Sequence, residues 1–212
     1  VAYRHLIWDW NGTLLDDAWL CLEVLNAVVV SRALTPVTAE SYQAQFGFPV
    51  IDYYRKLGFD LERDPFDQIS REFMDAYNRR RLECRLFPLA QETVEAVRDR
   101  GLSQVILSAH PQELLDELVV LFGLAGCFLK HIGLDNIYAA SKAANGRAHM
   151  ASLPLAPHEV LLVGDTTHDY EVACEIGADC VLLEGGHQSR ARLEACGVPV
   201  LGSHAEVLEL LG

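Results

Sequence analysis

Four short stretches of the 212-residue chain carry residues whose types could do chemistry together. They are Asp9 followed by Asn11-Gly12-Thr13, Ser108-Ala109, Lys142, and Asp165 followed by Asp169. The three aspartates offer oxygen ligands and negative charge for a hard cation, and Mg2+ typically takes one or two carboxylates, waters and phosphate oxygens. The Ser108 hydroxyl and the Lys142 ammonium would bind an anion. An acidic, cation-holding cluster that faces a hydroxyl and an ammonium suits a phosphoryl group: metal and lysine neutralise its charge while a carboxylate attacks phosphorus. Taken singly, each residue has a plainer reading. Asp9 could cap a loop, Ser108 could sit in a turn, and Asp165 to Asp169 could be a helix start, where Asp and Thr are favoured.

What distinguishes the readings is where the elements would put these residues. Four bursts rich in Val, Ile and Leu, at 5–10, 104–109, 160–164 and 180–184, have the near-continuous apolar character of parallel strands buried on both faces. Between them, 91–98, 112–122 and 170–176 carry helical periodicity and are followed by Gly101, Gly123 and Gly177, as helix C-termini favour. Alternation of this kind predicts an α/β fold, a three-layer parallel sheet with right-handed crossovers. In such sheets ligands bind beyond the carboxyl ends of the strands. Asp9, Ser108 and Asp165 fall at three such ends, and Lys142 lies in the segment before the third.

The stretch from about Ala18 to Cys84 breaks the alternation, with helical patterns at 19–31 and 65–81 and no buried strand. It reads as an inserted helical domain at 17–85, leaving 1–16 and 86–212 as the core domain. The run Arg79-Arg80-Arg81 reads as a solvated helix end, where cations are favoured.

Composition narrows the partners. Half the residues are apolar, and 17 Lys and Arg stand against 30 Asp and Glu, a net charge of −13 that argues against nucleic acid as a ligand. No apolar run approaches the ~20 residues of a membrane span, and Val1-Ala2-Tyr3-Arg4-His5 has no signal-peptide character. The six cysteines form no C-x-x-C pair, so reduced thiols and a cytoplasmic location are expected.

Asp9-Trp10-Asn11-Gly12-Thr13-Leu14, Ser108, Lys142 and Gly164-Asp165-Thr166-Thr167-His168-Asp169 resemble the four motifs of the haloacid dehalogenase superfamily. The inserted helices are similar to the cap of its phosphoglycolate phosphatase and β-phosphoglucomutase branch. The resemblance implies a Rossmann-like core with a helical cap and a Mg2+-dependent phosphatase acting on a small phosphorylated metabolite, such as phosphoglycolate or a sugar phosphate. It further implies that Asp9 is the nucleophile forming an aspartyl-phosphate, and that Mg2+ is held by Asp9, the Asn11 carbonyl, Asp165 and Asp169. Gly12, Thr13, Ser108, Ala109 and Lys142 would bind the phosphate, with Arg147 the alternative to Lys142.

Asn11 departs from the pattern. Phosphatases of the superfamily commonly carry a second aspartate there, which protonates the leaving oxygen and then activates water, help worth ~10²–10⁴ in rate. Asparagine can do neither, so a slow phosphatase, a leaving group that needs no proton, and a phosphate-binding protein without turnover all remain open. Mutase and phosphonatase chemistry are further alternatives, the latter needing a cap lysine, for which Lys56 is available. In the cap, Arg55 or Lys56 is a candidate contact for a second anionic group, Tyr53 and Tyr54 read as packing residues, Trp10 and His110 as shapers of specificity, and His168 as a helix-surface residue.

Overall fold

The computed structural model describes residues 3–138 and 142–211. Six parallel strands form the sheet, in the order β5-β4-β1-β6-β7-β8: β1 (His5–Trp8), β4 (Ser103–Pro111), β5 (His131–Leu134), β6 (Val160–Gly164), β7 (Asp179–Leu183) and β8 (Val200–Leu201). The apolar runs fold as strands because each side chain faces a covered surface. Leu6, Trp8, Ile106, Leu161, Val163 and Val181 enter one core cluster, and their neighbours Ile7, Val105, Leu107, Leu162 and Leu182 enter the other. The first face is covered by α5 (Ala90–Asp99), α6 (Gln112–Leu121) and α10 (Ala205–Leu210), and the second by α7 (Ala143–Ser152), α8 (Thr167–Ile176) and α9 (Arg190–Glu194). The expected three-layer α/β architecture is present.

Strands β2 (Leu15–Asp16) and β3 (Arg85–Leu86) pair antiparallel, and the Phe87 amide donates to the Leu14 carbonyl at 2.9 Å. This short ribbon closes the base of a helical excursion made of α1 (Ala18–Ser31), α2 (Ala39–Gln45), α3 (Val50–Lys56) and α4 (Phe66–Arg80). The excursion has its own core of Leu25, Val28, Val29, Tyr42, Tyr54 and Ile69. Leu20 and Val24 at the start of α1, and Tyr77 near the end of α4, belong instead to the cluster under the sheet. The helix pair α1 and α4 therefore ties the two hydrophobic centres together. No described helix is long and apolar enough to cross a membrane.

The basic run is less solvated than its composition suggests. Arg80 reaches Glu23 at 2.7 Å and Glu83 at 2.8 Å, while Arg81, its side chain only 16% exposed, pairs with Glu117 of α6 at 2.6 Å.

A polar pair is buried where β1 meets α7. His5 Nδ1 lies 2.7 Å from Ser103 Oγ, and its Nε2 lies 2.9 Å from His149 Nε2, a contact that needs one bare nitrogen. Burial, reinforced by His149, pushes the His5 imidazole down to about 4. The folded state thus takes up this proton later than the unfolded chain, whose histidines titrate near 6.5. Its stabilising contribution is complete above pH 6.5 and is lost as pH falls towards 4. Urea unfolding of wild type and His5→Asn is expected to show wild type losing about 1–2 kcal/mol of its advantage between pH 7.5 and pH 5.

Candidate active site

The carboxyl end of β1 delivers Asp9, whose amide donates to the Val163 carbonyl of β6 at 2.9 Å. The end of β6 delivers Asp165, and the first turn of α8 delivers Asp169. One oxygen from each of these three buried carboxylates falls within 4.8 Å of the others. Lys142, just before α7 and 3% exposed, lies between two of them: Nζ is 2.5 Å from Asp9 Oδ1 and 2.6 Å from Asp169 Oδ1. Ser108 and Ala109 line the same cavity. Arg147 instead pairs with Glu175 on the exposed face of α7 at 2.5 Å, so Lys142 is the site cation.

Asp169 satisfies both of its sequence readings at once. Its Oδ2 accepts from the Thr166 amide (3.0 Å), the Thr166 hydroxyl (2.6 Å) and the Asp165 amide (3.2 Å), completing a capping box at the start of α8, while Oδ1 receives Lys142. A helix cap thereby fixes a charge of the site.

The electrostatics are those of crowded anions. Burial, together with Asp169 and Asp165, raises the Asp9 carboxyl to about 8 against the opposing pull of Lys142. Burial likewise raises Asp165 to about 6, helped by Asp169 and opposed by His187. For Asp169, burial is outweighed by Lys142, and the carboxyl stays low. Lys142 is itself opposed by burial, yet Asp169 and Asp9 keep it charged. Three carboxylates against one ammonium form an oxygen donor set with surplus negative charge, which fits a hard divalent cation such as Mg2+.

Gly12 and Thr13, expected at the phosphate, lie behind the carboxylates. Neither lines the cavity. The Thr13 hydroxyl donates to Asp165 Oδ1 at 2.8 Å, and the Gly12 amide is taken by Leu15 O at 2.9 Å and Asp17 Oδ1 at 3.0 Å. Their work is to set Asp165. A Cβ on Gly12, which has φ of +75°, would lie 2.3 Å from Asp165 Oδ2, and a Cβ on Gly186 would lie 2.2 Å from the same oxygen. Backbone thus walls the carboxylate in on two sides, and the His187 amide donates to it at 2.7 Å.

The structure also places residues at the site that the sequence analysis passed over. Asp17, treated only as a domain boundary, is fully buried and accepts from Asn11 Nδ2 at 2.7 Å and Tyr77 Oη at 2.7 Å. His187 Nε2 stands 3.5 Å from Asp17 Oδ1, and its Nδ1 is 2.9 Å from Tyr42 Oη. Burial would raise Asp17, but His187, Asn11 and Tyr77 outweigh it and hold the carboxyl below its usual range. Burial would lower His187, but Asp17 raises it to about 9, so the pair is ionic at neutral pH. The signal for His187 was available: it follows Gly185-Gly186 at the carboxyl end of β7, where the strand-end rule looks for ligands.

Other expectations are corrected. Trp10 is fully buried, packs near Phe122 with ring centroids 6.2 Å apart, and does not line the cavity. His168 is buried and stacks on Phe48 at 4.8 Å rather than lying on a helix surface. Arg55 is exposed and pairs with Asp52 of its own helix at 2.5 Å, and Lys56 is exposed outside the cavity. Neither lines the cavity, and among the described residues no cap lysine does. His110 lines the cavity as expected, with burial pushing it down to about 4.

Comparison with known proteins agrees with this geometry. Residues 6–183 match the family model described as haloacid dehalogenase-like hydrolase. The phosphoglycolate phosphatase of Aquifex aeolicus is 23% identical over 192 residues, covering 87% of this chain and 86% of that protein. The phosphoglycolate phosphatase of Yersinia pseudotuberculosis is 26% identical over 222 residues, covering 100% and 94%. Among solved structures, a haloacid dehalogenase-like family protein from Streptococcus pneumoniae superposes with a TM-score of 0.84 at 17% identity, covering 99% of each chain. With the sheet order, the strand-end carboxylates and a family match over most of its length, the chain belongs to the haloacid dehalogenase-like hydrolases.

Proposed function

We propose that the protein is a Mg2+-dependent phosphomonoester hydrolase with residues 17–85 as its cap, and that Asp9 is the nucleophile. The observation that carries this reading is the buried Lys142 ammonium spanning Asp9 and Asp169 in the wall of the cavity. It holds one oxygen of Asp9 and leaves the other free to attack phosphorus. The relatives named phosphoglycolate phosphatases support the reaction class.

In this reading Asp9, the Asn11 carbonyl and Asp165 would hold Mg2+, with Asp169 supporting them, since both of its oxygens already accept bonds. When bound, the cation supplies positive charge that keeps Asp9 ionised and offsets the charge of the phosphoryl oxygens. Lys142 and Ser108 then orient the phosphoryl group. Asp9 forms a bond to phosphorus, the ester P–O bond breaks, and the electron pair leaves on the ester oxygen. Water later attacks the aspartyl-phosphate, which restores the Asp9 carboxylate and releases phosphate. The helices over the cavity exclude bulk water from these steps.

Asn11 fits its neighbour rather than the missing role. Its amide donates to Asp17, so an aspartate at position 11 would meet a second buried carboxylate where a 2.7 Å hydrogen bond now stands. Two carboxylates so placed share a proton, and neither is free to serve as a tuned acid and base.

Phosphate release is expected to fall about 10³–10⁶-fold in Asp9→Asn and to stop in EDTA. Activity retained in both would overturn the reading. Mg2+ at 100 times its Kd is expected to stabilise wild type by about 2.7 kcal/mol, read as a rise in melting temperature that Asp165→Asn lacks. On an alkyl phosphate, Asn11→Asp alone is expected to gain little. The double variant Asn11→Asp with Asp17→Asn is expected to gain about 10²–10⁴-fold in kcat.

A further inference from the structure

The space beside the phosphate site has a composition of its own. Phe46, Phe48, Tyr53, Phe66, Phe73 and Tyr77 line one side of the cavity of about 150 Å3 that Asp9, Ser108 and Lys142 also line. Its wall is a continuous aromatic run: His168 stacks on Phe48 at 4.8 Å, Phe48 meets the Phe46 ring edge at 5.6 Å, and Phe46 meets Tyr53 at 5.5 Å and His187 at 5.3 Å.

The same wall lacks what a second anion needs. Among the described residues no arginine lines the cavity, and its one lysine is Lys142, bound between Asp9 and Asp169. His187 is bound to Asp17, and the exposed Arg55 and Lys56 lie outside. A carboxylate buried there would be desolvated without a partner, which is costly. What the wall does offer is unpaired polar atoms: Tyr53 Oη, His110 Nε2 and His168 Nε2 are all buried without a partner. These are groups that a polar substituent on a ring would satisfy.

A second observation points the same way. Asn11 cannot donate a proton to the leaving oxygen, and its side chain is committed to Asp17 and Tyr77. An ester whose leaving oxygen is a phenol, with a pKa near 10 as in tyrosine, departs as the anion far more readily than an alkoxide.

We propose that the preferred substrate is a phosphate monoester of an aromatic alcohol, a phenol-type ring bearing a neutral polar substituent. This rests on the phosphatase reading above and narrows it. Asp9 Oδ bonds to phosphorus, the P–O(aryl) bond breaks, its electron pair departs on the phenolate oxygen, and that oxygen takes its proton from solvent. Water then attacks phosphorus and leaves one of its protons on a phosphoryl oxygen as the Asp9 carboxylate departs.

Binding and leaving-group effects are tested separately. Inhibition by phenylphosphonate and by phosphonoacetate, neither of which can be hydrolysed, reads recognition alone. Phenylphosphonate is expected to bind at least tenfold more tightly, and Phe48→Ala to remove about tenfold of that while leaving inhibition by inorganic phosphate unchanged. Tighter binding of phosphonoacetate overturns the proposal. Hydrolysis of phenyl phosphate and benzyl phosphate reads the leaving group. Wild type is expected to favour the phenyl ester by at least 10²-fold in kcat/KM, and the double variant Asn11→Asp with Asp17→Asn to narrow that ratio. Similar rates on both esters in wild type overturn it. If 2-phosphoglycolate is the better substrate, the substrate proposal falls while the phosphatase reading stands. If no phosphomonoester is hydrolysed with Mg2+ present, the phosphatase reading itself falls.

Discussion

The site depends on one ammonium group. Lys142 is buried against Asp9 and Asp169, and without it three carboxylates would share a water-poor pocket with no fixed counter-charge. Removing one partner of such a buried pair typically costs about 3–5 kcal/mol, because the remaining charges are left uncompensated. The fold places the ammonium by geometry alone. Lys142 immediately precedes α7, which packs on α8 through Gly146, where a Cβ would come within 3.2 Å of Ile176. Close helix packing thus sets the reach of the lysine, while the α8 capping box sets the carboxylate it meets.

A second ionic centre links the helical excursion to this core. Asp17 sits where the chain leaves the sheet domain, and the groups bound to it come from distant elements: Asn11 after β1, Tyr77 in α4 and His187 after β7. His187 in turn meets Tyr42 of α2. Buried hydrogen bonds to charged groups are worth about 1.5–3 kcal/mol each, so this network fixes the helices over the sheet more tightly than the two-residue β2–β3 ribbon could. Its groups also line the cavity, which makes cap position and cavity shape one property.

The sequence was most legible where physics is local. Strands buried on both faces have a distinctive apolar run, and their carboxyl ends were sufficient to find Asp9, Ser108 and Asp165. Asp169 and Lys142 followed from position relative to those ends. The misreadings came from side chains whose roles are set by distant partners. Thr13 read as a phosphate ligand through the family resemblance, yet its hydroxyl donates to Asp165, far along the chain. His168 looked like a surface residue because helix periodicity cannot register Phe48 packed over it. Trp10 disappeared into the core because β1 alternation puts it there. The short strands β5 and β8 were missed for a related reason: Gly133 interrupts one and the other is only two residues long, so neither carries a buried run of its own.

Asn11 and Asp17 are best understood as a pair. In isolation, asparagine beside a nucleophile reads as the loss of an acid, and an aspartate at the domain boundary reads as a polar turn. Joined by a 2.7 Å hydrogen bond, they are a donor and an acceptor that suit each other. The Asp17 carboxylate faces the His187 imidazole and accepts from Tyr77 Oη. The pair contributes to the junction between the helical excursion and the sheet. In the proposed reaction an asparagine at residue 11 suits a substrate whose leaving oxygen needs little proton transfer, and the aromatic wall over it would constrain that same molecule from a second direction.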